Sequence, residues 1–226
     1  MSLTLYQHPL ASFCHKVLIA LYENDTPFTS SLVDLLDPEE AARFAALWPA
    51  GKMPVLTDSA RDVVMPETSI IIEYLDRHYP GAVRLIPDDP DQALKVRLWD
   101  RFFDLYIHVP MQKIVTDTLR SAGENDHRGV KDARATLGLA YGMADKHFAE
   151  HSFAGGDSFS LADCAATPAL FYGGIVEPFG ENYPHLSAYF ERLLERASVR
   201  RVLAEARPYF HMFPYRNLMP ARFVEA

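Results

Sequence analysis

Cysteine is scarce. Cys14 and Cys164 are the only two in 226 residues, and they lie far apart. No CxxC pair, Cys/His cluster or HExxH occurs, so neither a disulfide framework nor a zinc site is signalled, and no metal is expected. Both cysteines are expected as free thiols in a reducing compartment. Long apolar runs are missing too. The uncharged stretch from Cys164 to Val176 is broken by Pro168, Gly173 and Gly174, too short and too interrupted to span a bilayer. The opening MSLTLYQHPLASF lacks the basic and then apolar regions of a secretory signal. A cytoplasmic protein without a membrane partner is expected. Cations are the minority, with 22 Lys and Arg against 30 Asp and Glu for a net charge of −8. Nucleic-acid backbones need concentrated Lys and Arg, so they are not the expected partner. There is no internal repeat and no low-complexity tract.

What remains is an ordinary globular composition, 49% hydrophobic and 23% charged. The length suits one large domain or two small ones. Charge is uneven: through Pro80 there are five cations against eleven anions, so this third carries −6 of the −8. That asymmetry hints at two units.

Periodicity divides the chain the same way. Leu3-Thr4-Leu5-Tyr6 alternates as a strand, and Ser12 offers an N-cap for a helix carrying Phe13, Val17, Leu18 and Leu21. Phe28–Val33 reads as a second strand, and Asp37-Pro38 opens a short helix to Leu47. Met53–Leu56 and a segment near Val63-Val64 read as strands, and Pro66-Glu67-Thr68 opens a helix ending near Tyr79. The order is β-α-β-α-β-β-α. Residues 81–91, rich in Pro and Asp, read as a linker. Beyond them only helical periodicity is found, over about 92–119, 130–151, 161–172, 184–196 and 199–206. The expectation is an α/β domain over 1–80 and an all-α helical bundle over 92–226.

Three segments carry candidate chemistry. Ala11-Ser12-Phe13-Cys14 lies where a strand gives way to a helix N-terminus, whose free N–H groups and dipole stabilise a thiolate. Dithiol redox catalysts carry C-x-x-C there, whereas Ala11 leaves only Cys14. From these residues alone the plainer reading is favoured, with Ser12 as a cap and Cys14 as a packed thiol. In Gly51-Lys52-Met53-Pro54, a cis proline at a strand start would turn the Met53 amide and carbonyl outward to pair with an extended peptide, or form a plain turn. Pro66-Glu67-Thr68-Ser69 is either an ordinary cap or a cradle for a free amino-acid end. In the second case Thr68 and open amides hold a carboxylate, and Glu67 holds the ammonium.

In this order and spacing the segments resemble the cytosolic glutathione S-transferases, of the bacterial serine/cysteine-motif branch. The run Glu67-Thr68-Ser69-Ile70-Ile71-Ile72-Glu73-Tyr74-Leu75 carries the likeness in the first domain. Phe159-Ser160-Leu161-Ala162-Asp163-Cys164-Ala165, a capping box with a hydrophobic staple, carries it in the second. The resemblance spans about residues 3–210. It implies a thioredoxin-like first domain, a helical second domain, and glutathione as co-substrate. Glu67 and Thr68 would hold the γ-glutamyl end, Met53 beside Pro54 the cysteinyl backbone, and Lys52 the glycyl carboxylate. The implied activity is conjugation of the glutathione thiolate to a small hydrophobic electrophile by a homodimer with its interface between unlike domains.

The catalytic position departs from the family, because Ala11 stands where the activating hydroxyl or cysteine belongs. Ser12, one residue along, is the candidate donor, with Tyr6 and Cys14 as alternatives. A thiol reductase or isomerase using Cys14 is the enzymatic rival, and a non-catalytic glutathione-fold module the rival of another class. The electrophile pocket is expected from the first helix of the second domain, through Phe103, Tyr106 and Met111. The aromatic tail 208–215 would form a lid or dock on the bundle.

Overall fold

The computed structural model describes residues 2–225. Four strands, β1 (Leu3–Gln7), β2 (Thr29–Leu32), β3 (Val55–Asp58) and β4 (Val63–Met65), form one sheet in the order β2-β1-β3-β4. β1 pairs in parallel with β2 and antiparallel with β3, with Leu5 opposite both Ser30 and Leu56. Between the parallel strands runs the crossover helix α1 (Ser12–Glu23), as parallel neighbours require. On β1 the buried positions are Leu3, Leu5 and Gln7, the period-two burial of a strand with unlike faces.

Local chemistry explains the helices. α2 (Pro38–Leu47) starts with Asp37 accepting from the Glu39 and Glu40 amides and with proline in its first turn. α3 (Thr68–His78) follows β4. These elements, a mixed sheet with helices, make a thioredoxin-like N-terminal domain, and among the described residues every later element is helical, apart from an isolated bridge between Phe153 and Gly156.

The second domain opens with α4 (Pro90–Phe102), capped by Asp89 on the Gln92 amide. The single helix expected over 92–119 is three segments: α4, a π-helical turn at Phe103–His108, and α5 (Val109–Asp117). Pro110 explains the change. It has no N–H for the preceding turn and its ring crowds the carbonyl four residues back, so the ladder widens there. α6 (His127–Phe148) follows, then the buried central helix α7 (Leu161–Val176), α8 (Pro184–Leu194) and α9 (Ala197–Ala206). A capping box of Ser160 and Asp163 starts α7. α7 also outruns the expected end at Tyr172, through Gly173 and Gly174. Both glycines are required by close packing, since a Cβ would lie 2.9 Å from the Tyr141 hydroxyl at Gly173 and 2.8 Å from the Phe179 ring at Gly174. After α9 come a 3-10 segment at Arg207–Met212 and a four-residue helix α10 (Ala221–Val224). No helix among the described residues is long and apolar enough to cross a membrane.

The domains share one core. Leu18, Ile19 and Ile71 of the first lie in the same buried cluster as Phe103, Leu170 and Val199 of the second. Arg97 grips Glu73 in a two-pronged pair at 2.7 and 3.0 Å, and Arg196 and Ser198 hold Glu23. α1 thereby sits as a wedge between the α/β layer and the bundle.

Candidate functional site

The turn from β1 into α1 is held from several sides. The Ala11 amide donates to the His8 carbonyl (2.9 Å), and Tyr172 of α7 donates to the Leu10 carbonyl (3.0 Å). The His15 ring lies 2.6 Å from the Pro9 carbonyl. A carbonyl only accepts, so that ring nitrogen carries the proton, and burial keeps the imidazole neutral by lowering its pKa to about 4. So fixed, the turn presents the start of α1. Ala11 is the N-cap and makes no side-chain cap, and Ser12 is the first helical residue, not the cap its position suggested. The first helical bonds engage the Cys14 and His15 amides. The Ser12 and Phe13 amides remain open, as helix starts leave them.

That helix start opens on a cleft of about 460 Å³. One wall is Ser12, Phe13, Lys52 and Met53, and the facing wall is Met111 and Val115 of α5 with Phe213 from the tail. The Met53–Pro54 bond is cis, and β3 begins only at Val55. Neither the amide nor the carbonyl of Met53 has a hydrogen-bond partner among the described residues. Lys52 is exposed at the mouth and pairs with no carboxylate among the described residues. The tail question resolves toward docking: Phe213 is buried, edge-on to Tyr172 at 5.2 Å, and its segment forms part of the cleft wall.

A second helix start stands nearby in the same domain. Glu67 precedes α3 with φ +67°, in the left-handed region that a glutamate rarely adopts. Backbone strain of this kind collects at ligand sites. The Ile71 amide closes the first helical bond, to the Glu67 carbonyl, leaving the Thr68, Ser69 and Ile70 amides open. Among the described residues no hydrogen bond engages the Glu67 carboxylate or the Thr68 hydroxyl.

Ser69, the next residue, roots this start in a buried charge cluster that single-sequence reading missed. Lys16 of α1 is fully buried. Its ammonium donates to Ser69 Oγ (3.0 Å) and Asp104 Oδ2 (2.8 Å), and lies 2.6 Å from Asp100 Oδ1. Ser69 in turn donates to Asp100 Oδ2 (2.7 Å). Burial pushes the Asp104 carboxyl up, and the Asp100 carboxylate adds to that, against the pull of Lys16. One turn along, Ser12 Oγ lies 2.6 Å from Nε2 of the buried His108. Two rungs therefore join α1 to the π-helical turn, Lys16 with Asp104 and Ser12 with His108.

Several candidates lie elsewhere. Cys14 is fully buried, and burial pushes its thiol up to about 12. It supplies no thiolate to the cleft, because it lies on the core side of α1. Tyr6 points beneath α2 and lines a separate cavity with Ser31, Arg43 and Phe44, since residues of a strand alternate between faces. Phe103 is fully buried in the shared core. Tyr106, 53% exposed, lines an outward apolar hollow with Leu98, Leu105 and Met143. A helix shows different residues to cleft, core and solvent, and of the three expected pocket residues only Met111 lines the cleft. Among the described residues no group of His, Cys, Asp and Glu is arranged to hold a metal ion.

Comparison with known proteins agrees with this architecture. The family described as "Glutathione S-transferase, N-terminal domain" matches residues 5–82, and "Glutathione S-transferase, C-terminal domain" matches residues 102–197. Glutathione S-transferase hmp2 of Hypomyces subiculosus is 29% identical over 205 residues, covering 85% of this chain and 94% of its own. Glutathione S-transferase GstB of Escherichia coli (strain K12) is 25% identical over 203 residues, covering 89% and 97%. A glutathione S-transferase from Methylobacillus flagellatus, solved with GSH bound, superposes with a TM-score of 0.81 at 26% identity, over 89% of this chain and 98% of that one. A thioredoxin-like domain joined to a helical bundle, with two open helix starts at the junction, defines the class. The chain belongs to the cytosolic glutathione S-transferase family.

Proposed function

We propose that this chain is a homodimeric, cytoplasmic glutathione transferase that stabilises the glutathione thiolate and adds it to a small hydrophobic electrophile. The observation that carries the reading is the cleft itself. It gathers the open amides of Ser12 and Phe13, the unpaired Met53 backbone and the free Lys52 ammonium opposite an apolar wall. The related transferase from Methylobacillus flagellatus, solved with GSH bound, supports the choice of ligand.

Each part of glutathione has a matching group. The γ-glutamyl carboxylate suits the Thr68 hydroxyl and the open amides of α3, with its ammonium against Glu67. The cysteinyl backbone pairs with Met53 as an added strand does. The glycyl carboxylate meets Lys52. The sulfur then falls at the start of α1, where the Ser12 and Phe13 amides, the helix dipole and the Ser12 hydroxyl favour its charged form. The thiol gives its proton to solvent, and the thiolate formed there attacks the electrophilic carbon. The C–S bond forms, and the electron pair leaves with the displaced group or is protonated from solvent. Met111, Val115 and Phe213 supply the apolar wall against which the electrophile would lie. The depth of Cys14 weighs against disulfide exchange, which requires an accessible thiolate.

The dimer reading rests on exposed apolar side chains. Leu94, Leu98, Leu105, Leu139 and Met143 on the second domain, and Val64 and Ile70 on the first, are all between 47% and 68% exposed. Such a patch marks an interaction surface, and the two groups suit an interface between unlike domains.

The test is an ultraviolet titration of the glutathione thiol in its complex with the protein. The thiol pKa is expected well below the ordinary thiol value of about 8.5. A bound thiol that titrates as in free solution refutes the transferase and favours a non-catalytic binding module.

A further inference from the structure

His108 is the buried titratable group that the proposed chemistry does not yet use. Its ring is 0% exposed and stacks face to face on Phe13, with centroids 3.7 Å apart and planes 5° from parallel. Nε2 lies 2.6 Å from Ser12 Oγ, while Nδ1 is buried with no hydrogen-bond partner. Burial holds the imidazole neutral well below its ordinary pKa, helped by the cation of Lys16 and by His15. A neutral imidazole carries a single proton, and the fate of the Ser12 proton depends on which nitrogen holds it.

The two tautomers differ in what they leave unmet. With the proton on Nδ1, a buried N–H points at nothing, and Ser12 must spend its own proton on Nε2. The Ser12 lone pairs would then face the cleft, beside an anion that the helix start is built to attract. With the proton on Nε2, the imidazole donates to Ser12 Oγ, only a lone pair at Nδ1 goes unused, and the Ser12 proton is released. Orphaned buried N–H groups are the rarer defect.

Building on the glutathione reading above, we propose that His108 is a positioning residue. It donates from Nε2 to Ser12 Oγ and turns the Ser12 hydroxyl proton into the cleft, toward the glutathione sulfur. Ala11 has removed the family's usual donor, and the second domain makes the next residue serve by locking its hydroxyl from behind. The π-helical turn brings His108 to that place.

Two measurements test this. Nitrogen-15 spectra of histidine-labelled wild-type protein, without ligand and with glutathione, report the tautomer. Protonated Nε2 at His108 is expected, and protonated Nδ1 overturns the proposal. The second measurement is the thiol pKa of bound glutathione in variants. His108→Phe keeps the ring on Phe13 and removes the donor, and should raise that pKa by about one unit. His108→Gln, whose amide reaches the Nε2 position, should retain the wild-type value. Ser12→Ala should match His108→Phe, and the double variant should be no worse than either, because both act through one hydroxyl. An unchanged pKa in His108→Phe, or additive shifts in the double variant, overturns the proposal. A wild-type thiol with no depression refutes the transferase reading instead, and the spectrum of the unligated protein still decides the Ser12–His108 bond.

Discussion

Replacing Lys16 with methionine tests whether the buried cluster holds the domains together. The ammonium is fully buried and touches Asp100, Asp104 and Ser69. Lys16→Met keeps the stem and removes the buried charge, leaving two buried carboxylates facing one another with only the half-exposed Arg101, 3.1 Å from Asp104, still paired to them. Breaking a buried pair on one side costs about 3–5 kcal/mol. In a chain of this size each kcal/mol lowers the melting temperature by about 2–4 °C, so the expected fall is roughly 6–20 °C. The deficit should depend on pH, with a definite sign. Burial already raises the Asp104 carboxyl above its ordinary value, and losing Lys16 raises it further. The folded variant then binds carboxyl protons more tightly than the unfolded chain, so its stability recovers as pH falls through the folded-state value and is poorest above it. Scanning calorimetry at about pH 8 and about pH 5 should show the larger gap from wild type at the higher pH. The triple variant Lys16→Met, Asp100→Asn, Asp104→Asn removes the stranded charges and should recover most of the loss. A fall below about 3 °C, or an equal fall at both pH values, refutes this account of the cluster.

Thr68→Val removes the only side-chain hydroxyl at the start of α3 that no other group engages. A hydrogen bond to a carboxylate contributes about 1.5–3 kcal/mol, so the glutathione Kd should rise roughly 10–100-fold by calorimetric titration. A Kd within about twofold of wild type removes Thr68 from the γ-glutamyl site. Leu105→Arg places a charge in the exposed apolar hollow beside Tyr106 and Met143. Sedimentation should then show a monomer for the variant and the proposed dimer for the wild type, and a variant that remains dimeric would clear this face of an assembly role.

Wherever a local device sets an element, the chain can be read directly. The Asp37-Pro38 start of α2, the Ser160–Asp163 box of α7 and the alternation of β1 each depend on neighbours a few residues apart. The cleft is legible only in part, because its walls come from segments about two hundred residues apart in sequence, Leu10 and Pro214 among them. Periodicity reports that the helix after the linker has apolar faces. It cannot say which face meets core, cleft or solvent, and so Phe103 and Tyr106 fall outside the cleft while Met111 lines it. Lys16 did leave a signal. Val17, Leu18, Ile19, Ala20 and Leu21 are consecutive apolar residues, a pattern of a helix covered on all sides. A lysine beside such a run requires a buried carboxylate partner. Nothing local marks the partner as Asp104, because the widened turn that carries it follows from Pro110.

The charge distribution poses a last problem, since the more acidic domain is the one proposed to hold an anionic tripeptide. At physiological ionic strength charges beyond about 8 Å are largely screened, so net charge has little hold on a ligand in the cleft. What matters is the charge within reach of each anionic group. In the proposed binding mode that is the pair of open amides of α1 at the sulfur, those of α3 at the γ-glutamyl carboxylate, and Lys52 at the glycyl end. Lys16, the buried cation at the junction, is occupied by two aspartates and contributes to shape more than to attraction. Its rung and the His108 rung fix the rotation of α1, and that rotation aims the amides. On the proposed reading the second domain does more than wall one side of the cleft. It sets the direction of the proposed anion site at the start of α1, so separating the two domains should disorganise thiolate stabilisation even with every residue of the proposed glutathione site intact.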